Sequence, residues 1–177
     1  MSDFKMCSHC AEEYSDPENR RFHAQTIACT HCGPQLSMPI NQIIENLRQG
    51  RIVAIKGLSG FHLVCDATNQ VAVQKLRQRK QRDEKPLAVM VANLASAKQL
   101  AHLNEEEQRH LQSQQRPIVI LDKKKVLPIS KLVAPDLKWL GIMLPYTPLH
   151  YLLFHQAVGQ PDGTDWLEQP QSLCLVM

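Results

Sequence analysis

Between Ile52 and Val91 the chain alternates apolar runs of strand length with a tight turn and a helical stretch, which leaves few ways to fold it. Ile52 to Ile55 is one run, Lys56-Gly57-Leu58-Ser59-Gly60 a turn, and Phe61 to Cys65 a second run. Asp66 to Asn69 lead into a helical stretch that closes on Lys75, Arg77, Arg79, Lys80, Arg82 and Lys85, opposed only by Asp83 and Glu84. Counted at neutral pH, Lys75 to Lys85 carries about +4. Pro86 has no backbone donor and disfavours helix at Lys85, so Lys85 is expected in an extended hinge before a buried strand, Leu87 to Val91. Glycines at a tight turn let backbone approach a ligand. Arginine as a planar fork and lysine as a point charge suit phosphate oxygens. The residues alone allow a phosphate or nucleotide site and equally a solvated helix face, since no Walker or dinucleotide fingerprint is present.

Cys7 and Cys10 form one Cys-x2-Cys pair and Cys29 and Cys32 another, with eighteen residues between. That is the spacing of a structural zinc site: each pair clasps the ion from a tight turn, and four thiolates close the tetrahedron with no open position. His9 and His31 lie within the pairs and are not expected as ligands. MSDFKMCSHC carries no signal-peptide core, so disulfides are disfavoured and a cytoplasmic location is expected. No apolar run approaches the ~20 residues of a membrane span, and the net charge of +3 does not by itself call for nucleic acid or a membrane.

KGLSGFHLVCDA followed by LRQRKQRDEKPLAVM resembles the YrdC-like domain of the HypF family, the hydrogenase-maturation carbamoyltransferases. Ser59 departs from that pattern where glycine is usual, and Asp83 where proline is common. If position 59 needs a positive φ, Ser59 strains the turn by ~1 kcal/mol. EYSDPENRRFHAQTIAC resembles the family's second zinc finger, with a turn starting at Asp16-Pro17 and Arg20, Arg21 and His23 exposed for docking. Gly141 to His150 matches the family again.

The resemblance implies an α/β fold: a YrdC-like twisted mixed sheet with flanking helices over residues 39–177, preceded by a four-cysteine zinc-finger module over residues 1–38. It implies ATP-dependent activation of a carbamoyl group as carbamoyl-adenylate, with Mg2+ sharing the phosphate charge. The carbamoyl unit, supplied as carbamoyl phosphate or carbamate, would pass to a HypE-type maturation protein. Lys56, Arg79, Lys80, Arg82 and Lys85 are the implied phosphate or carbamoyl contacts. His62 and Thr147 are possible substrate contacts, and Cys65 and Cys174 small core residues rather than nucleophiles. In YrdC-like domains a Thr-Ser-Ala-Asn type motif follows the strand equivalent to Leu173–Met177, so the sequence is read as a fragment or truncated product. Two rivals stand beside this reading. One is a YrdC-type domain that makes threonylcarbamoyl-adenylate or binds double-stranded RNA through the Lys75–Lys85 stripe. The other is a non-catalytic zinc-binding remnant.

Elsewhere, Ile40, Ile43, Ile44 and Leu47 recur at helical spacing, with Gly50 as the stop. Asn93 and Asn104 are expected to cap helices over Leu94 to Ala101 and Glu105 to Ser113. Pro117 to Leu121 reads as a strand, Lys123 to Lys125 as a basic turn, and Leu140 to Leu144 as a strand. A helix is expected over Pro148 to Gln156. Ser172 to Met177 reads as a last strand, with an aggregation risk if its edge is unpaired.

Overall fold

The computed structural model describes residues 5–82 and 84–177; residues 1–4 and Asp83, with the readings that fall on them, lie outside it. The chain divides into two compact units, Met1–Pro39 and Ile40–Met177.

In the first unit, helix α1 (Ser8–Ser15) begins immediately after Cys7, its N-cap residue. The first Cys-x2-Cys pair therefore opens a helix rather than a tight turn, because the N-cap bend and first helical turn already bring positions 7 and 10 onto one side. Asp16 Oδ1 accepts the Glu18 N–H at 3.0 Å, forming the turn that Asp16-Pro17 implies. Arg21 is not exposed: its guanidinium donates to Glu13 Oε2 and to the Ala28 carbonyl, both at 2.6 Å, tying the loop to α1. Arg20 and His23 are exposed, His23 stacking on Phe22 with ring centroids 3.9 Å apart.

In the second unit, α2 (Ile40–Arg48) turns Ile43, Ile44 and Leu47 inward. It stops at Gly50, φ +72°, where Gly50 and Arg51 N–H groups reach back to the Leu47 and Asn46 carbonyls. Strands β1 (Val53–Lys56) and β2 (Phe61–Asp66) pair antiparallel around the glycine turn. Then come α3 (Gln70–Lys80), β3 (Val89–Val91), α4 (Leu94–Leu100), β4 (Ala101–His102), α5 (Glu105–Gln112) and β5 (Val119–Lys123). β6 (Trp139–Met143), α6 (Pro148–Ala157) and β7 (Cys174–Val176) complete the unit.

Among the described residues the seven strands form one sheet in the order β1-β2-β7-β3-β6-β5-β4. Only β3 and β6 run parallel. Asn69, Asn93 and Asn104 cap α3, α4 and α5, each accepting a backbone N–H three residues on, and Glu107 returns a bond to the Asn104 N–H.

Strand alternation divides the core between the faces of the sheet. Cys65, Val89, Val91, Leu121, Leu140 and Ile142 pack with Leu76 of α3, Leu100 of α4 and Leu111 of α5. Val64, Met90 and Leu175, the intervening residues, point the other way; helices α2 and α6, which bury Leu47 and Phe154, pack against each other.

Strand limits differ from expectation: β3 covers Val89–Val91 rather than Leu87–Val91, and β7 covers Cys174–Val176 rather than Ser172–Met177. β5 starts at Val119 rather than Pro117 and runs into Lys123, because backbone pairing with β6 and β4 sets its limits while Ile118 and Ile120 stay 52% and 62% exposed. β7 has no unpaired edge: it lies between β2 and β3 and bonds to both.

Candidate functional site

The four sulfur atoms of Cys7, Cys10, Cys29 and Cys32 lie within 4.8 Å of one another. Three of the separations are 3.6, 3.8 and 3.6 Å. Thiolates about 2.3 Å from a tetrahedral zinc lie about 3.8 Å apart, so the cluster has the size of a four-thiolate zinc site. Backbone hydrogen bonds, the largest at Cys29, draw the Cys32 thiol down, while burial and then the hydrogen bond with Cys32 push Cys10 up. Among the described residues this cluster contains no histidine. His9 is exposed and lies 3.8 Å from Glu13, and His31 is exposed.

The basic residues of the Ile40–Met177 unit separate into different environments. Helix α3 ends at Lys80, so Arg82 and Lys85 lie beyond it, not within it. Gln81 takes a left-handed conformation, φ +49°, and sends its N–H back to the Arg77 and Gln78 carbonyls. That conformation costs a non-glycine residue ~1 kcal/mol. Arg77 helps offset it from inside the fold. Buried to 6% exposure, its guanidinium donates to the Leu132 carbonyl at 2.5 Å and the Arg82 carbonyl at 2.6 Å. Of the basic stretch, Arg77 therefore serves as a clamp that shapes the loop after α3.

The clamp sets Lys80, Arg82 and Lys85 around one concavity of 520 Å³, together with Gln81 and Glu84. Burial, and then the neighbouring Arg82 charge, hold the Lys80 ammonium below its usual range. A partly desolvated cation beside a second one is relieved by an anion. Arg79, on the same helix, is exposed and does not line this concavity.

Lys56 sits elsewhere in the same unit, at the end of β1 opposite Phe61, with its ammonium 5.6 Å from the Phe61 ring centre. The turn beyond it closes through a 2.7 Å bond from Gly57 N–H to the Gly60 carbonyl. Ser59 is not in a positive-φ conformation, so the strain considered for it does not arise. At Gly57 a Cβ would lie 2.6 Å from His62 Nε2 and 3.0 Å from the Tyr146 hydroxyl, so a larger residue there would push the His62 and Tyr146 side chains aside. His62 Nε2 and the Tyr146 hydroxyl are 3.1 Å apart. Behind them His150 is fully buried, its ring edge-on to Tyr146 with centroids 4.5 Å apart. Burial, then the nearby His62, lower its pKa to about 4, which keeps the imidazole neutral. Thr147 caps α6, its Oγ1 accepting the His150 N–H at 3.3 Å, so its hydroxyl already holds a structural bond. Burial pushes Cys65 and Cys174 up to about 12, in keeping with inert core thiols.

Tyr146 and Arg77 escape sequence reasoning as parts of the site. Their partners lie 84 and 55 residues away along the chain, and no local pattern announces such contacts.

Residues 6–38 match the family model of the HypF finger. Residues 45–161 match the model described as "Telomere recombination", which takes in Sua5, YciO and YrdC. The chain belongs to the Sua5/YciO/YrdC family, in its HypF branch. Carbamoyltransferase HypF2 of Cupriavidus necator is 53% identical over 99% of the chain, a match covering 30% of that protein. A crystal structure of full-length HypF in a phosphate- and nucleotide-bound form superposes with TM-score 0.77 at 42% identity, over 100% of this chain and 23% of that one. A structure of P. abyssi Sua5, at TM-score 0.58 and 18% identity over 77% of this chain and 39% of its own, shares the fold alone. The chain spans about a third or less of the HypF relatives it matches. Its sheet is mixed and flanked by helices, as the resemblance implies, and the four-cysteine cluster lies in the finger. Among the described residues no helix is long and apolar enough to cross a membrane.

Proposed function

We propose that this chain supplies the carbamoyl-activating part of a HypF-type carbamoyltransferase, using ATP to make carbamoyl-adenylate in the cytoplasm. The observation that carries the reading is the concavity shared by Lys80, Arg82 and Lys85, where burial and Arg82 press on the Lys80 charge. In the proposed reaction an oxygen of carbamate, supplied as such or formed when water displaces phosphate from carbamoyl phosphate, bonds to the α-phosphorus of ATP, and the bond to the leaving pyrophosphate breaks. Lys80, Arg82 and Lys85 would offset charge gathering on pyrophosphate, a role in which preorganised cations are effective. Mg2+ would share that charge on the phosphate oxygens. Lys56 and Arg79 are assigned as outer phosphate or carbamoyl contacts. His62, steadied by Tyr146, would present its remaining ring nitrogen to the carbamoyl group, and Thr147 would hold the α6 end of that wall. The carbamoyl unit would then pass to a cysteine of a HypE-type partner. Zinc in the Cys7, Cys10, Cys29 and Cys32 cluster would serve structure only.

ATP–pyrophosphate exchange tests the reading. Exchange dependent on carbamate or carbamoyl phosphate, and reduced about a hundredfold or more in Lys80→Ala/Arg82→Ala, is expected from the loss of two charge-assisted contacts. Exchange with threonine plus bicarbonate alone would move the chain to the tRNA-modifying type. No exchange with either would leave a zinc-binding module without this activity.

A further inference from the structure

A second concavity, built by residues 123–140, is absorbed by none of the chemistry above. Its volume is 650 Å³, against 520 Å³ for the one at Lys80. Lys123, Lys124, Lys125, Lys131 and Lys138 line it, with Asp136 as the one acid of the segment. Five lysines less one aspartate leave +4 on this segment, more than the +3 of the entire chain. The field is therefore local. Lys123 donates to the Ala134 carbonyl at 3.2 Å, and the Lys138 ammonium sits 4.7 Å from the Trp139 ring centre. None of the five is paired with a carboxylate among the described residues. Lys125, Lys131 and Lys138 are exposed.

Between the ammonium groups the walls are apolar. Leu127, Leu132 and Leu137 are only half-buried there, with Leu140 buried beneath. Part-exposed leucines in a concavity of this size offer room to apolar groups, and unneutralised lysines above low-dielectric walls concentrate a positive potential. Nucleic acid suits such a site poorly. Its lining holds no arginine fork for phosphates, and the Trp139 face beside it already carries the Lys138 ammonium.

We propose that this concavity is a docking site for an acidic, leucine-bearing segment of a partner protein. The segment's apolar side chains enter among Leu127, Leu132 and Leu137, and its carboxylates meet Lys125, Lys131 and Lys138. The proposal is independent of the carbamoyl-activation reading, since it uses none of the residues assigned to phosphate.

The test is fluorescence anisotropy on the full chain with a fluorescein-labelled peptide in which two leucines are flanked by glutamates. Binding is expected to weaken steadily with salt. It should fall about tenfold or more in Lys131→Glu/Lys138→Glu, and as far when glutamine replaces the peptide's glutamates. Leu137→Asn, which leaves the charge unchanged, should also weaken it. Amide NMR shifts should fall on residues 125–138, while ATP–pyrophosphate exchange and zinc content stay as in the parent chain. Absence of binding at low salt, equal binding of the glutamine peptide, indifference to both variants, or tighter binding of a single-stranded RNA oligonucleotide at the same lysines would each overturn the proposal.

Discussion

The two units of this chain are held together by different means. In the Ile40–Met177 unit both sheet faces bury leucine, isoleucine, valine and phenylalanine, among them Leu47, Leu76, Leu140 and Phe154 at 1% exposure or less. In the Met1–Pro39 unit, Cys10 is the one buried residue among those described. A unit that short cannot remove enough apolar surface from water to offset its chain entropy, so its stability must come from ligation. Apolar burial dominates one unit and four sulfur atoms the other. Mutations that are severe in one should be nearly silent in the other.

Chelation breaks the comparison most sharply. Structural zinc contributes about 10–16 kcal/mol in finger peptides, so stripping the metal, or Cys10→Ser, should unfold the finger unit completely. Circular dichroism should lose the α1 signal, while the main thermal transition of the α/β unit persists. Simultaneous collapse of both units would show that ligation and apolar burial are not separate sources of stability in this chain.

Leu140→Ala is the converse. Deleting a side chain 1% exposed at the centre of the sheet core should cost about 2–5 kcal/mol in urea unfolding. Zinc affinity, followed by a chromophoric chelator, should not change.

The pH dependence of the α/β unit sharpens the contrast further. His150 titrates near 6.5 when unfolded and near 4 when folded, so between those values the unfolded chain binds more protons. Its contribution to stability is present in full above about 6.5 and declines as the pH falls toward 4. The midpoint temperature of the main transition should drop across that window, and His150→Gln should flatten the dependence.

The smallest effect is at a helix start. Asn104→Ala removes one half of the α5 capping box and should cost about 1 kcal/mol. It should shift the main transition slightly and leave the finger untouched.

Much of this is legible in the sequence because it is local. Asn69, Asn93 and Asn104 cap their helices through atoms three residues away, and Gly50 ends α2 within the same turn. The cysteine spacing reads in the same manner: two close pairs need only a returning loop. Arg21 and Arg77 misread as surface charge because composition cannot distinguish a solvated guanidinium from one facing carbonyl oxygens. β5 shifted for a related reason, since a strand's limits follow its neighbours' backbone as much as its own side chains.

By itself the sequence determined the asparagine caps that start α4 and α5, the glycine stop of α2, the glycine turn, the metal-sized group of cysteines and the apolar stretches that become strands. Each depends on groups a few residues apart or on a short closing loop. Only tertiary structure decided that β7 lies inside the sheet, that Tyr146 closes on His62, and that Arg77 bends the basic loop around Lys80. Those contacts join segments tens of residues apart, and their energies exist only once packing has paid the entropy of bringing them together.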